Sequence, residues 1–305
     1  MFKRRGSLLL LITGLTLALL VSGCTSRTNG GQPSATEETG QTGDAAQSAP
    51  PGTVKLVYVN WAEGIAMTNL AQAILEDKGY KVETTMADVG PVFASLANGS
   101  ADAFLDTWLP VTHESYMTKY GDKIDDYGVN YEGARIGLVV PQYVTINSIE
   151  ELNAHADKFK GQIIGIDAGA GIMKATAKAI QDYGLKLKLV EGSEPAMTAA
   201  LKKAIDNKEW IVVTGWAPHW KFARWDLKFL EDPKKDYGEV ENIHITARKG
   251  LAEDMPEVAD FLKNFKLNAQ QLGDLEGRIA DGEEPPAAAK AWMAENKDVV
   301  DSWWK

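Results

Sequence analysis

The sequence is poor in cysteine and histidine. Its 305 residues include a single cysteine, which cannot form an internal disulfide and excludes a cysteine-rich zinc site. Four histidines are scattered along the chain, so no metal cluster is predicted. The sequence also lacks a Gly-x-Ser-x-Gly elbow, a His-Glu-x-x-His helix and a phosphate-binding loop. These absences argue against an enzymatic function such as that of a secreted hydrolase, and no cofactor is predicted.

Positive charge is in the minority. The 32 Lys and Arg residues face 42 Asp and Glu residues, which gives a net charge of −10 at pH 7. An acidic chain without a long basic run is a poor candidate for binding nucleic acid or anionic lipid through charge. A hydrophobic content of 45% is ordinary for a globular protein, and the length suits two domains or one large domain.

The N-terminus has the organisation of an export signal. A basic stretch at residues 3–5 precedes an apolar run at residues 7–20, which is short for a membrane span but suits a signal peptide. The run ends at Val21-Ser-Gly-Cys24, which resembles a bacterial lipobox. We therefore predict a signal peptide at residues 1–23 and lipid attachment to Cys24. The alternative is an uncleaved anchor helix with an incidental cysteine.

Residues 24–53 are predicted to form a disordered tether. They are mostly Ser, Thr, Gly, Gln, Ala and Pro and show no apolar periodicity, so they cannot bury enough surface to offset their ordering entropy. Lipidated Cys24 would thus hold a globular body outside the cytoplasmic membrane on a flexible connection.

The rest of the chain alternates between strand and helix patterns. Strands are predicted at residues 54–59, 81–85, 103–106, 133–144, 161–167, 185–189, 210–214 and 239–248. This alternation indicates an α/β fold with parallel sheets that are covered on both faces. Without an eightfold spacing, two lobes are favoured over one barrel. We predict lobe I at 54–140 plus 246–305 and lobe II at 141–245, with the long strands near 138–144 and 239–248 as the crossovers.

Four distinctive motifs lie at the predicted carboxyl ends of strands, where open α/β sheets bind ligands. They are Asn60-Trp61, Asp106-Thr-Trp-Leu-Pro110, Gly169-Ala-Gly-Ile-Met173 and Gly215-Trp-Ala-Pro218. Three of them carry a tryptophan, and the fourth is a glycine-rich start of a helix.

These residue types suit a small zwitterion. A tryptophan face attracts a cation, and several rings can enclose a quaternary ammonium, which has no N–H to donate. The N-terminus of a helix offers free N–H groups and a positive dipole end to a carboxylate, and Gly171 allows close approach of the backbone. The motifs therefore predict a ligand with a methylated nitrogen at one end and a carboxylate at the other.

The same stretches resemble those of the glycine betaine-binding lipoproteins of osmoprotectant ABC transporters. The resemblance covers nearly all of residues 54–305. Its motifs are Tyr58-Val-Asn-Trp61, Asp106-Thr-Trp-Leu-Pro-Val-Thr-His113, Gly165-Ile-Asp-Ala-Gly-Ala-Gly-Ile-Met173 and Val213-Thr-Gly-Trp-Ala-Pro-His219.

The resemblance implies a two-lobed periplasmic-binding-protein fold (type II) with a ligand cleft between the lobes. It implies a binding protein rather than an enzyme, which presents its ligand to a membrane permease driven by an ATPase. The implied ligand contacts are a prism of Trp61, Trp108 and Trp216 around the trimethylammonium group, and Gly171, Ile172 and His113 at the carboxylate.

The sequence leaves other ligands open, and it leaves purely structural roles open for the residues named above. Proline betaine and carnitine carry the same two charges as glycine betaine, whereas choline lacks the carboxylate that the helix start would bind. A single tryptophan is more often a core residue than a ligand. The other six tryptophans are predicted to be packing residues.

Overall fold

A computed structural model describes the chain from Gly52 to Trp304. The predicted signal peptide, Cys24 and the tether up to residue 51 lie outside the described residues, so those predictions stay predictions. Among the described helices, none combines the length and the apolar character that a membrane span needs.

Strands and helices alternate through most of the described residues. The strands are β1 Thr53–Tyr58, β2 Lys81–Met86, β3 Ala103–Leu109, β4 Ile124–Pro141, β5 Gln162–Ile164, β6 Lys188–Val190, β7 Val213–Ala217, β8 Leu227–Phe229 and β9 Glu241–Arg248. The helices are α1 Ala62–Asp77, α2 Val89–Ala97, α3 Glu114–Tyr120, α4 Gly171–Asp182, α5 Glu194–Asp206, α6 Lys221–Arg224, α7 Leu251–Asp254, α8 Pro256–Asn264, α9 Ala269–Ala280, α10 Pro285–Glu295 and α11 Lys297–Trp303. The predicted α/β class is confirmed.

Local chemistry explains where the helices begin and end. Ser193 caps α5 by accepting a hydrogen bond from the amide of Ala196, and a proline follows in the first turn. Gly79 follows the end of α1 with a φ of 89°, the left-handed conformation that a glycine adopts without steric cost. Both signals are local in the sequence.

The nine strands form one mixed sheet in the order β2-β1-β3-β9-β4-β7-β5-β6, with β8 paired to β4. The outer pairs β1–β2, β1–β3, β5–β6 and β5–β7 are parallel. The central pairs β3–β9, β4–β9, β4–β7 and β4–β8 are antiparallel. The predicted parallel arrangement is therefore wrong for the centre of the sheet, because β4 and β9 run against their neighbours.

Strand β4 belongs to both halves of the sheet. Its residues up to Ala134 pair with β9, and its residues from Arg135 onward pair with β7 and β8. We call the half with β1, β2, β3 and β9 lobe I and the half with β5, β6, β7 and β8 lobe II. We propose the boundaries 134/135 and 240/241, because β4 changes partners at the first and β9 pairs along its length within lobe I. They differ from the predicted 140/141 and 245/246.

The first part of β4 escaped the sequence prediction, which began this strand at residue 133. The pairing with β9 is irregular at three places, between Asp126 and Gly128, Val129 and Tyr131, and Glu132 and Ala134. Such irregularities break the alternation of apolar and polar residues on which strand prediction depends. Gly128 and Gly133 have φ values of 101° and 85°, so turn-forming residues interrupt this strand.

Candidate ligand-binding site

One cavity between the lobes brings together most of the predicted site residues. It is a narrow cavity, with about 280 Å³ of space between atoms when the part open to solvent is included. Its lining consists of Trp61, Glu63, Trp108, Thr112, Ile136, Ile166, Ala170, Gly171, Ile172 and Trp216. Five of the six predicted ligand contacts are thus neighbours in space.

Three indole rings form what we call the aromatic end of the cavity. Trp61 directly precedes α1, whereas Trp108 and Trp216 lie within β3 and β7, close to the carboxyl ends of these strands. All three are almost fully buried, with at most 5% of their surface exposed. Lobe I supplies Trp61 and Trp108, and lobe II supplies Trp216. The aromatic end therefore requires both lobes.

Each of these indole N–H groups donates a hydrogen bond to the carboxyl group of an acid. Trp108 Nε1 donates to Asp106 Oδ1 at 2.7 Å, within lobe I. Trp216 Nε1 donates to Glu63 Oε2 at 2.8 Å, and Trp61 Nε1 donates to Asp167 Oδ2 at 3.2 Å, both from one lobe to the other. A buried indole N–H needs an acceptor, and here the acceptor also fixes the plane of the ring.

The N-terminus of α4 forms another part of the lining, which we call the helix end of the cavity. Ala170 precedes the helix in an extended conformation, so the amides of Gly171 and Ile172 lie in a first turn whose N–H groups have no intrahelical acceptors. A Cβ on Gly171 would lie 1.9 Å from the carbonyl oxygen of Thr112 in lobe I. The close approach of the two lobes at this point therefore demands glycine.

His113 is fully buried beside the aromatic end rather than in the lining of the cavity. Its ring stacks on Trp61 with 5.9 Å between the ring centroids. Its Nδ1 accepts a hydrogen bond from the amide of Trp108 at 2.9 Å, so the proton of the neutral ring lies on Nε2. Nε2 has no hydrogen-bond partner among the described residues. Burial, followed by the charge of Lys174, lowers the pKa of His113 to about 3.

A group of buried acids lies behind the aromatic end. Burial, followed by the charge of Glu194, raises the pKa of Glu63 to about 8, and burial raises that of Glu194 to about 7. Burial, followed by the charge of Glu63, holds the pKa values of Asp106 and Glu276 well above their ordinary range. Among the described residues, Lys221 is the one buried lysine or arginine, and it lies beside these acids. Burial lowers the pKa of Lys221 to about 7.

These acids were not predicted from the sequence as partners of the indoles. Glu63 lies two residues after Trp61 in the first turn of a helix, where an acid is common for reasons of the helix dipole alone. Asp167 lies in the quoted motif at residues 165–173, but only its contact with Trp61 gives it a role. Asp106, quoted with Trp108 in the same motif, is the one acid whose proximity to its indole could be read from the sequence.

The acids around the cavity act as hydrogen-bond acceptors for its walls. Among residues 52–304, no group of three or more His, Cys, Asp or Glu side chains is arranged to hold a metal ion. Glu63, Asp106 and Asp167 accept from indoles, and Glu194 accepts at 2.9 Å from the amide of Ala62. The polar groups around the cavity thus orient its walls.

The other six tryptophans lie away from this cavity, within the described residues. Trp210 packs against His155 and Phe159, and Trp220 packs against Trp225. Trp292 stacks on Trp303, and Trp304 contacts Phe261. These contacts are those of packing residues.

Comparison with known proteins places this geometry in a family. The glycine betaine/carnitine transport binding protein GbuC of Listeria monocytogenes is 50% identical over 144 residues, which are 46% of this chain and 48% of that protein. The matched segment thus spans about half the length of this curated relative.

Solved structures match the chain more completely. Lactococcal OpuAC in its closed form complexed with glycine betaine is 40% identical with a TM-score of 0.80, over 83% of this chain and 100% of that chain. The glycine/betaine/L-proline-binding protein ProX of Borrelia burgdorferi is 37% identical with a TM-score of 0.80, over 83% of this chain and 97% of that one. The predicted two-lobed fold is confirmed. Because the family model matches residues 52–295, the chain belongs to the family of substrate-binding domains of ABC-type glycine betaine transport systems.

Proposed function

We propose that this protein captures glycine betaine, or a closely related betaine, outside the cytoplasmic membrane and presents it to the permease and ATPase of an ABC importer. In this proposal the ligand is released unchanged, so the protein is not an enzyme. Accumulation of such a betaine would protect the cell against osmotic stress.

One observation carries the proposal: three indole faces and the N-terminus of a helix meet in a single small cavity. Indole faces attract a quaternary ammonium by cation–π interaction, and they need no hydrogen bond from it. The amides of Gly171 and Ile172 lie where a carboxylate would be stabilised by the helix dipole. His113 lies just outside the lining of the cavity, and we assign its Nε2–H, which has no partner among the described residues, as a further donor to that carboxylate. A betaine carries both charges, separated by a short linker.

Choline is the second candidate class, because the aromatic end alone would accept it. It has no carboxylate for the amides of α4, so those N–H groups would lose a partner on binding. Carnitine retains both charges, but it is longer and carries a hydroxyl group. The small volume of the cavity favours the shorter glycine betaine.

A titration with ligands that each lack one charge tests the proposal. Residues 24–305 are titrated by tryptophan fluorescence and calorimetry with glycine betaine, choline and 3,3-dimethylbutanoate, in which carbon replaces the charged nitrogen. We expect saturable binding of glycine betaine and at least about ten-fold weaker binding of the other two, because each loses one charged interaction. Proline betaine and carnitine, titrated in parallel, rank the betaines, and NMR of the recovered ligand detects any turnover.

The other outcomes would contradict parts of the proposal. Binding of choline alone would keep the aromatic end as the cation site and exclude the helix end as a carboxylate site. Equal binding of 3,3-dimethylbutanoate would exclude a cation–π site. Binding of none of the ligands would overturn the assignment of the cavity.

A separate experiment tests the location of the protein. We propose that a lipid on Cys24 holds the protein on the outer face of the membrane, as the motif Val21-Ser-Gly-Cys24 suggests. In cells that express the full chain, the protein should be found in the membrane fraction. Its first residue after cleavage, Cys24, should carry the added mass of a lipid. The Cys24→Ser variant should lack this mass. An unmodified Cys24 in the wild-type protein would contradict the anchor.

A further inference from the structure

The two lobes exchange indole–carboxylate hydrogen bonds across the cleft. Trp61 of lobe I donates to Asp167 of lobe II, and Trp216 of lobe II donates to Glu63 of lobe I. The third pair, Trp108 and Asp106, lies within lobe I. Two of the three aromatic walls are therefore oriented by an acid of the opposite lobe.

The junction between β1 and α1 concentrates these contacts in three consecutive residues. The side chain of Trp61, the amide of Ala62 and the side chain of Glu63 each bond to lobe II. The amide of Ala62 donates to Glu194 Oε2 at 2.9 Å. The other oxygen of Glu194 lies 3.0 Å from Nε2 of the buried His219.

The ring of His219 holds Glu194 in position. Its Nδ1 accepts from the amide of Lys221 at 3.1 Å, so its Nε2 carries the proton that is donated to Glu194. The acceptor for Ala62 is therefore built into lobe II and does not depend on contact with lobe I.

We propose that Asp167 and Glu63 are positioning residues that couple the assembly of the aromatic end to closure of the lobes. The proposal rests on the proposed function. When the lobes separate, Trp61 and Trp216 lose the acceptors that fix their rings. Two walls of the aromatic end thus take their binding orientation only in the closed form. A ligand that prefers oriented walls then stabilises closure by its differential affinity for that form.

Asp167 offers the clearer test because it is only partly buried, whereas Glu63 is fully buried among other acids. Asp167→Ala removes the acceptor for Trp61. Asp167→Asn removes the charge but keeps a carbonyl oxygen that can accept from the indole. We expect Asp167→Ala to raise the dissociation rate of glycine betaine about ten-fold, the effect of one hydrogen bond to a charged group. The association rate should change by less than about two-fold, and Asp167→Asn should restore most of the loss.

Asp88→Ala is the matched control for charge. Asp88 and Asp167 line the same hollow at the edge of the cleft, but the exposed carboxylate of Asp88 makes no hydrogen bond to the described residues. Removing it changes the local charge without removing an indole acceptor. Its dissociation rate should equal that of the wild type. An effect as large as that of Asp167→Ala would mean that charge alone is responsible, and it would overturn the proposal.

A double-mutant cycle tests whether Asp167 acts through the indole N–H. Trp61→Phe keeps an aromatic face but cannot donate, so Asp167→Ala should have less than about a two-fold effect in that background. The proposal would be overturned if the effects of the two substitutions on the dissociation rate simply multiplied. It would also be overturned if Asp167→Ala released glycine betaine at the wild-type rate. Failure of the wild-type protein to bind any betaine would instead overturn the proposed function, so the two failures are distinguishable.

Discussion

The two ends of the cavity are built from different parts of the chain. The aromatic end consists of side chains, each held by a carboxylate, and a surplus of buried acids lies behind it. The helix end consists of backbone amides next to a glycine. Side chains can be exchanged one at a time with graded effects. Backbone amides cannot be exchanged in this way, so the helix end can be disrupted only by changing how closely the neighbouring backbone approaches it.

The largest effect is therefore expected at the helix end. In Gly171→Ala the new Cβ would lie 1.9 Å from the carbonyl oxygen of Thr112, so the lobes cannot close fully. We expect an affinity for glycine betaine about a hundred-fold lower, since overpacking of this severity costs several kcal/mol. Calorimetry measures the affinity, and circular dichroism checks the fold.

Gly169→Ala is the control in the same turn. A Cβ at this position would lie 3.5 Å from Val89 Cγ1, which is an ordinary contact. Its affinity should stay close to that of the wild type. If both variants bound equally well, the close approach at Gly171 would not be part of the bound state.

The aromatic end should respond less severely and with a different ligand profile. Trp216→Ala removes one cation–π contact and the donor to Glu63, so we expect betaine affinity to fall by more than about ten-fold. Competition titrations with glycine betaine and any weaker quaternary ammonium ligand should show a similar proportional loss for each. Trp210→Ala, in the packing contact with His155, should leave affinity unchanged. Unchanged affinity in Trp216→Ala would exclude the proposed prism.

The acids behind the aromatic end should make the stability of the fold depend on pH. Burial, followed by repulsion from Glu63 and Glu194, raises the pKa of Glu276, so the folded state keeps a proton that the unfolded chain releases. This group thus contributes less stability as the pH rises above about 5, the region where an unfolded glutamate has lost its proton. The advantage of Glu276→Gln over the wild type should grow by up to about 1.4 kcal/mol per pH unit.

Urea unfolding at several pH values between 5 and 8 measures this difference. Glu283→Gln, which changes an exposed acid just after the same helix, is the matched control for the loss of a glutamate. A constant difference for Glu276→Gln would mean that Glu276 is ionised in the folded protein.

The smallest expected change is at His113. Burial lowers its pKa to about 3, so its ring stays neutral from pH 5 to 8, with the proton on Nε2. Because the unfolded ring takes up a proton below about pH 6.5, this residue's contribution to stability is lost as the pH falls through that region. Nitrogen NMR shifts of the His113 imidazole should be constant from pH 5 to 8. Titration of the His113 shifts in this range would exclude a neutral donor.

Residue types made the aromatic end predictable from the sequence. Trp61, Trp108 and Trp216 each stand near the carboxyl end of a strand. Gly171 was predictable as a point of close backbone approach, although its partner Thr112 was not. A contact between distant segments leaves no periodic pattern in a sequence.

The acids that orient the indoles and the direction of the central strands were harder to predict. Asp102 and Asp106 look like a pair from spacing alone, yet Asp102 bonds to Arg248 whereas Asp106 accepts from Trp108. Local pattern likewise cannot give the direction of a strand such as β9, because direction depends on which neighbour it joins. The ligand contacts and the lobe boundaries stay predictions.

The position of lobe II between two neighbouring strands has a consequence for folding. Ala134 of β4 pairs with Glu241 of β9, so lobe II is topologically the loop of one long β-hairpin. The entropic cost of closing a loop grows only with the logarithm of its length. An insertion as large as lobe II therefore adds little to the entropic cost of pairing these two strands. Lobe I, by contrast, contains both the first and the last described strands. During synthesis its sheet must wait for the C-terminal segment, whereas lobe II is complete as soon as its own stretch of chain has emerged.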